Sequence, residues 1–280
     1  LIANPYEDLM QKFWTSIVTF SHTVTQQVGE RLLTEFGTAP ATPKADGSLV
    51  TQSDQWADQF LRQAIATAFP EHGVLSEEAE HILPSQTWCW IIDPIDGTTN
   101  FARGIPIWGI SLGLVYQGIP VFGCVHIPPL QQTFHGFWSA PDHQDGAFCN
   151  QAPMQTRPDA PASDQFFSLC ARSLAILQKP FPCKIRMLGS ASYNLLTVAQ
   201  GITLGAVEAT PKIWDIAGVW PILQAAGGAW VPLSEEPIFP LVVGKDYSQV
   251  SYPTLAVSQA QWVEQFTPLV TSVGQPRRSS

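Results

Sequence analysis

Charge is the scarcest commodity in this chain. Only 13% of its 280 residues are charged, about half of the ~25% usual for globular domains, which excludes a chain kept disordered by self-repulsion. Basic residues are fewest: 14 Lys and Arg stand against 23 Asp and Glu, for a net charge of −9. A nucleic-acid binder working through a basic face is therefore excluded. Uninterrupted apolar runs are also lacking. The longest candidates, 107–116 and 119–127, are broken by Gly109, Gly113, Gly118, Pro120 and Gly123, short of the roughly 20 residues a membrane span needs. The first residues carry Glu7 and Asp8 and no basic-then-apolar pattern, so they do not read as a signal peptide. The sequence starts at Leu1, which leaves room for an upstream targeting segment. Cysteines are few, odd in number and never spaced C-x-x-C (Cys89, Cys124, Cys149, Cys170, Cys183). They read as free thiols in a reducing, cytoplasmic setting. The 6 histidines form no H-x-H or H-x-x-x-H pair, so a metal here would be held by oxygen.

What is present is apolar and aromatic: 45% hydrophobic residues, with 10 Trp and 15 Phe. Residues 6–36 read as one amphipathic helix, with Leu9, Phe13, Ile17, Phe20, Val24, Val28, Leu32 and Phe36 at helical spacing and Gly37 as the stop. A second helix is expected over 53–68. Strands are expected at 88–93, 107–116, 120–127 and 132–138, forming an antiparallel meander on those helices. A Pro- and Asp-rich stretch, 153–164, reads as a linker. Beyond it come strands at 166–171, 202–208 and 229–233 and helices at 190–200, 215–226 and 259–270. Two α/β subdomains, 1–155 and 156–280, are the expectation.

One stretch carries chemistry: Trp90-Ile91-Ile92-Asp93-Pro94-Ile95-Asp96-Gly97-Thr98-Thr99-Asn100-Phe101. An apolar strand runs into a carboxylate, Pro94 ends the ladder, and a second carboxylate follows. Carboxylates and a carbonyl at a strand end are hard oxygen donors suited to Mg²⁺. Gly97 then permits a tight turn into a helix start whose N–H groups suit a phosphate. A turn in which Asp93 and Asp96 merely cap is the plainer alternative, and the length of the string argues against it.

The string DPIDGTTNF resembles the inositol monophosphatase family of Mg²⁺-dependent, lithium-sensitive phosphatases. The likeness extends to residues 44–54, to Glu77-Glu78, to 146–150, to Gly189-Ser190-Ala191 and to Trp214-Asp215-Ile216-Ala217-Gly218. It implies an α/β (α+β) fold, a layered αβαβα sandwich, usually dimeric. It implies two to three Mg²⁺ ions, with Mn²⁺ as a substitute and Li⁺ as an inhibitor. Glu77, Asp93 and the Ile95 carbonyl would hold one ion. Asp93, Asp96 and Asp215 would hold a second, and Glu77 would reach a third. Thr98, hydrogen-bonded to Asp54, would orient the attacking water together with Glu77. The amides of Gly97 and Thr98 would hold the phosphate. Gly189, Ser190, Ala191, Glu208 and Asp215 would line the substrate pocket, and Lys44 would sit on a loop that helps order the metals.

Departures from the family pattern touch the substrate side. Ser76 precedes the acidic pair where glycine is usual, Val219-Trp220-Pro221 is bulky, and Arg172-Ser173 has no clear counterpart. The resemblance implies hydrolysis of myo-inositol monophosphate or a similar polyol phosphate, a small phosphorylated metabolite. Histidinol phosphate ranks next, then sugar bisphosphates and phosphoadenosine phosphate. A silent, non-catalytic relative is disfavoured because the ligand set is complete. Glu78, Glu80, His72, His81 and His143 read as surface residues, and Trp214 and Trp220 as core.

Overall fold

The computed structural model describes residues 5–43, 49–177 and 180–270. Helix α1 (Pro5–Glu35) buries Trp14, Ile17, Val24, Val28 and Leu32 along one stripe, as an amphipathic helix must. Leu9, expected in that stripe, is instead 62% exposed. The first two turns run past the core, where the Tyr6 hydroxyl donates to Asp142 at 2.8 Å. A short antiparallel pair, β1 (Ala41–Pro43) and β2 (Leu49–Thr51), leads into α2 (Gln52–Ala68). A capping box starts α2: the Thr51 hydroxyl accepts from the amides of Ser53 and Asp54, and Asp54 accepts from the Thr51 amide at 2.7 Å.

A seven-stranded sheet follows: β3 (Gly73–Ser76), β4 (Trp88–Asp96), β5 (Gly109–Tyr116), β6 (Ile119–Ile127), β7 (Gln132–Phe137), β8 (Gly146–Cys149) and β9 (Ala152–Pro153). Strands neighbour one another in chain order, and only β3 and β4 run parallel. The expected meander is present. Helix α3 (Thr98–Arg103) interrupts it between β4 and β5.

The remaining elements are β10 (Phe166–Leu169), β11 (Lys184–Arg186), α4 (Ala191–Ala199), β12 (Gly205–Glu208), α5 (Ile213–Ala217), α6 (Trp220–Ala225), β13 (Ala229–Pro232), β14 (Thr254–Val257) and α7 (Val263–Val270). Their strands form a five-stranded sheet in the order β11-β10-β12-β14-β13, parallel across β11, β10 and β12 and antiparallel across β14. Helices α1 and α2 cover one face of the large sheet. Helices α4, α5 and α6 fill the space between the sheets, and α7 packs on β14. The layers are αβαβα. Among the described residues, no helix is long and apolar enough to cross a membrane.

Four expected elements come out differently. The strand at 88–93 runs on to Asp96: Pro94 does not end the ladder, because a bulge carries the pairing past it to Asp96↔Gly109. The strand at 202–208 starts at Gly205, because 202–204 form the turn that follows α4. The closing helix at 259–270 opens with a 3₁₀ turn, Ala260–Trp262. The helix at 215–226 is two short helices, α5 and α6, and the large sheet gives the reason. Gly113, Gly123 and Gly136 are register partners across β5, β6 and β7. A Cβ on Gly113 would lie 2.6 Å from the Ala217 carbonyl carbon, on Gly123 1.8 Å from the Gly218 oxygen, and on Gly136 2.8 Å from Ile222 Cα. This row of missing side chains admits the α5–α6 backbone onto the sheet, and the helix breaks at Gly218 where the two backbones touch.

The histidines read as surface are partly buried among aromatic rings. His72 stacks on Phe69 and Trp88 and accepts from Trp90 Nε1 at 3.0 Å. His143 stacks on Phe137 with centroids 3.8 Å apart, and His81 lies over Trp214 at 5.2 Å. Periodicity could not show this, because the partners come from other elements.

Gly123→Ala should lower stability by about 3 kcal/mol or more, since the obstacle is backbone that cannot repack. Urea denaturation checks this; a midpoint within error of the parent would show that the α5–α6 segment can retreat.

Candidate active site

Asp93 and Asp96 are three residues apart, which in a regular strand would point them to opposite faces. Pro94 cannot donate to the ladder, and the register with β5 slips between Asp93↔Ser111 and Asp96↔Gly109. The bulge inserts one extra residue and brings both carboxylates to one side. It also turns the Ile95 carbonyl out of the sheet, where it accepts from the Thr98 hydroxyl at 3.0 Å. The Ile95 amide donates to Asp93 Oδ1 at 3.1 Å. Gly97, at φ +90°, makes the turn into α3.

Helix α5 delivers the third acid. Asp215 sits in its first turn and accepts from the Lys212 amide at 2.6 Å. Asp93, Asp96 and Asp215 offer carboxylate oxygens all within 4.8 Å of one another. Glu77 follows β3; its amide donates to Ile92 O at 3.1 Å and its side chain hydrogen-bonds Asp93. Among the described residues, no lysine or arginine is within ion-pairing distance of Asp93, Asp96 or Asp215.

Burial raises Asp93 well above the ordinary carboxylate range, and the facing charges of Glu77, Asp96 and Asp215 push the same way. Asp215 is raised by burial and by Asp96. Buried like charges of this kind call for a cation. The donors are all hard oxygens and include a free carbonyl lone pair at Ile95, a set that fits Mg²⁺.

Thr98 donates to Asp54 Oδ1 at 3.1 Å, tying α3 to the first turn of α2. Burial pushes Asp54 up to about 6 against its bonds from Thr51. On the other flank, Asp96 holds the start of α4. It accepts from the Ala191 and Ser192 amides at 3.1 and 2.8 Å, from the Ser190 hydroxyl at 2.5 Å, and from the Ser192 hydroxyl. Asp96 Oδ1 receives only the Ala191 amide, which leaves it lone-pair capacity for a cation. Gly189, at φ +80°, precedes this cap, and a Cβ there would strike the Asn100 amide. Asn100 in turn donates to Ile107 O and Leu188 O.

Glu208 ends β12 and is only 4% exposed, not the exposed strand-end acid its position suggests. Burial moves it up to about 8, although Asn194 donates to its Oε1 at 2.6 Å. The structure thus gathers Asp54, Glu77, Asp93, Ile95, Asp96, Gly97, Thr98, Gly189, Ser190, Ala191, Glu208 and Asp215 around one centre. Lys44 lies outside the described residues.

Sequence reading missed Ser192, Asn194, Asn100 and Cys170. Asn194 is one helical turn beyond Ser190, a spacing that puts both on one face and could have flagged it. Cys170, which faces Glu208, carried no such signal. Arg172, without a counterpart in the family pattern, donates to the Thr210 hydroxyl near Glu208.

Fold and site together define a metal-dependent phosphatase. The Inositol monophosphatase family model matches residues 14–270. The chain is 32% identical over 194 residues to an inositol-1-monophosphatase of Synechocystis sp., covering 65% of this chain and 66% of that protein. It is 29% identical over 214 residues to a histidinol-phosphatase of Chlorobaculum parvum, covering 72% and 80%. In three dimensions it matches the Thermotoga maritima IMPase at a TM-score of 0.77 and 28% identity, over 91% of this chain and 97% of that one. The chain belongs to the inositol monophosphatase family, and its activity is that of a phosphatase.

The raised carboxyls set a pH dependence. A group whose folded pKa exceeds its unfolded value adds stability below the unfolded value and loses it as pH rises through the folded one. Glu208 at about 8 therefore loses its contribution between roughly pH 4 and 8. The buried histidines, held low by desolvation, act in the opposite sense but only below about pH 6.5. In a chelator, the melting temperature should fall between pH 6.5 and 8.5, and Glu208→Gln should flatten that fall. A chelated parent whose melting temperature rises across that window would contradict the assignment.

Proposed function

We propose that the protein is a Mg²⁺-dependent phosphomonoesterase that hydrolyses myo-inositol monophosphate, or a similar polyol phosphate, to the alcohol and inorganic phosphate. The observation that carries this reading is the convergence of Asp93, Asp96 and Asp215 beside the Thr98–Asp54 pair. Glu77, Asp93 and the Ile95 carbonyl would hold one ion; Asp93, Asp96 and Asp215 would hold a second; Glu77 would reach a third. Bound there, Mg²⁺ supplies positive charge to the phosphate and lowers the pKa of coordinated water.

The chain's own residues do the positioning. The Thr98 hydroxyl shares its one proton between Asp54 Oδ1 and the Ile95 carbonyl, so its oxygen is free to accept from a water. Glu77 accepts the other proton of that water, which aims a lone pair at phosphorus. No Ser or Cys nucleophile is required. The amides of Gly97 and Thr98 face the phosphate at the start of α3. Ser190 and Ala191, fixed by Asp96, form the wall beside it, with Gly189 giving the turn. Glu208, held by Asn194, takes the substrate's hydroxyls. Residues 1–155 and 156–280 form two subdomains in this reading, the first supplying Asp93 and Asp96 and the second Asp215 and Glu208. Lys44 would help to order the metals, as the family resemblance implies.

Histidinol phosphate is the second reading, favoured by the Chlorobaculum relative of that name. Five free cysteines support a cytoplasmic setting. Lithium inhibition, Mn²⁺ substitution and a homodimer rest on the family resemblance.

Phosphate release from inositol phosphate, histidinol phosphate, fructose bisphosphate and phosphoadenosine phosphate, with and without Mg²⁺, tests the proposal. Inositol phosphate should be turned over fastest, and only with metal; metal-independent release, or none from any substrate, would end it. Asp93→Asn should cost about 10²-fold or more in kcat, on the scale of removing a charge-stabilising group. Near-normal turnover there would remove Asp93 from its bridging role. Glu208→Gln should change substrate preference more than the Mg²⁺ requirement, read from kcat/KM across the same panel.

A further inference from the structure

On the face of the large sheet covered by α1, two imidazoles meet. His22 Nε2, on α1, lies 3.2 Å from His135 Nδ1, on β7. The ring centroids are 4.8 Å apart and the planes cross at 71°. A hydrogen bond with both nitrogens on the line between the rings would set the centroids about 5.5 Å apart. These rings meet obliquely instead. Two imidazoles sharing a tetrahedral Zn²⁺ at about 2.0–2.1 Å hold their nitrogens about 3.3–3.4 Å apart and their centroids about 5.2 Å apart. The pair, at 3.2 and 4.8 Å, needs to open by only a few tenths of an ångström to reach that separation.

Both rings are fixed by regular structure. His135 stacks on Phe148, its cross-strand partner on β8, with centroids 4.8 Å apart and planes at 14°. His22 is carried by a helix whose neighbouring turns are buried in the core. Preorganised ligands on rigid elements are what a metal site requires. Desolvation lowers both imidazoles, His135 to about 4, so both rings are neutral near pH 7 and each can carry its proton on the far nitrogen. Both line an open pocket of about 520 Å³ together with Thr19, Thr23, Gln26 and Gln151, which gives an ion and its waters access. The nearby His126 is turned away from the pair: its Nδ1 meets the Thr133 hydroxyl at 2.8 Å, and its Nε2 packs against Gly29 of α1, where a Cβ would lie 3.1 Å from it.

We propose that His22 and His135 form a second metal site, selective for a borderline transition ion such as Zn²⁺, with water completing its coordination. Its nitrogen donors distinguish it from the carboxylate centre, whose hard oxygens favour Mg²⁺. Occupancy cross-links α1 to β7 and thereby clamps the outer helix to the sheet. No step of phosphate hydrolysis runs through it.

The test uses the full chain with Mg²⁺ in excess, so that the carboxylates are filled before Zn²⁺ is titrated by calorimetry. The parent should bind one Zn²⁺ and show a raised melting temperature. His22→Gln should weaken that binding at least about tenfold and lose the melting shift, while Asp215→Asn should keep both. Cu²⁺ placed in the parent should show the electron-spin-echo modulation of coordinated imidazole, a readout independent of any variant's folding and of enzymatic activity. Zn²⁺ affinity unchanged in His22→Gln, or a Cu²⁺ spectrum without imidazole modulation, would overturn the proposal.

Discussion

Asp215 reaches Asp93 and Asp96 because nothing stands between the α5–α6 backbone and the sheet. Gly113, Gly123 and Gly136 leave a side-chain-free track across three strands, and Ala217, Gly218 and Ile222 lie in it. Any Cβ on that track would lift α5 away from β4, and the acidic centre would lose one of its corners. The same contact breaks the helix at Gly218, at the end of the short α5 that carries Asp215 in its first turn. Architecture and chemistry therefore share one requirement, the close approach of two backbones.

What that approach creates is electrostatically unfavourable on its own. Three carboxylates meet in a buried space, with Glu77 beside them and Glu208 close by. Their neighbours answer with dipoles rather than charges: the Lys212 amide on Asp215, the α4 cap on Asp96, and the Ile95 amide on Asp93. These bonds orient the oxygens without neutralising them, and that is the condition in which a site keeps its affinity for a cation. The net charge of −9 thus describes the surface poorly as seen by an anionic substrate. With metal bound there, the local sign at the centre would invert.

The string from Asp93 to Thr98 was legible because a bulge, a turn and a helix start follow one another without a gap. Local chemistry alone implies oxygen ligands at a strand end. The Thr51–Asp54 capping box is equally local, yet the sequence reading only began the helix at 53 and did not name it. Other parts were not legible for physical reasons. β14 is four residues long and buried on both faces, so it shows no alternation, yet it joins the two halves of the smaller sheet. The α4 cap on Asp96 spans 94 to 96 residues of sequence. His72, His81 and His143 read as solvated because the rings that cover them come from distant elements, as is true of the His22–His135 pair.

By itself the sequence determined the donor chemistry, the two N-terminal helices with the antiparallel meander, and the family, since each is written in contiguous residues or in their spacing. Only the tertiary structure decided how the acids share one space, that Glu208 is buried, that Asn194 and Ser192 serve the site, and that two histidines 113 residues apart face each other. Hydrogen bonding within a turn is fixed by neighbours along the chain. Burial, facing charge and bite distance depend on which surfaces the sheets and helices bring together.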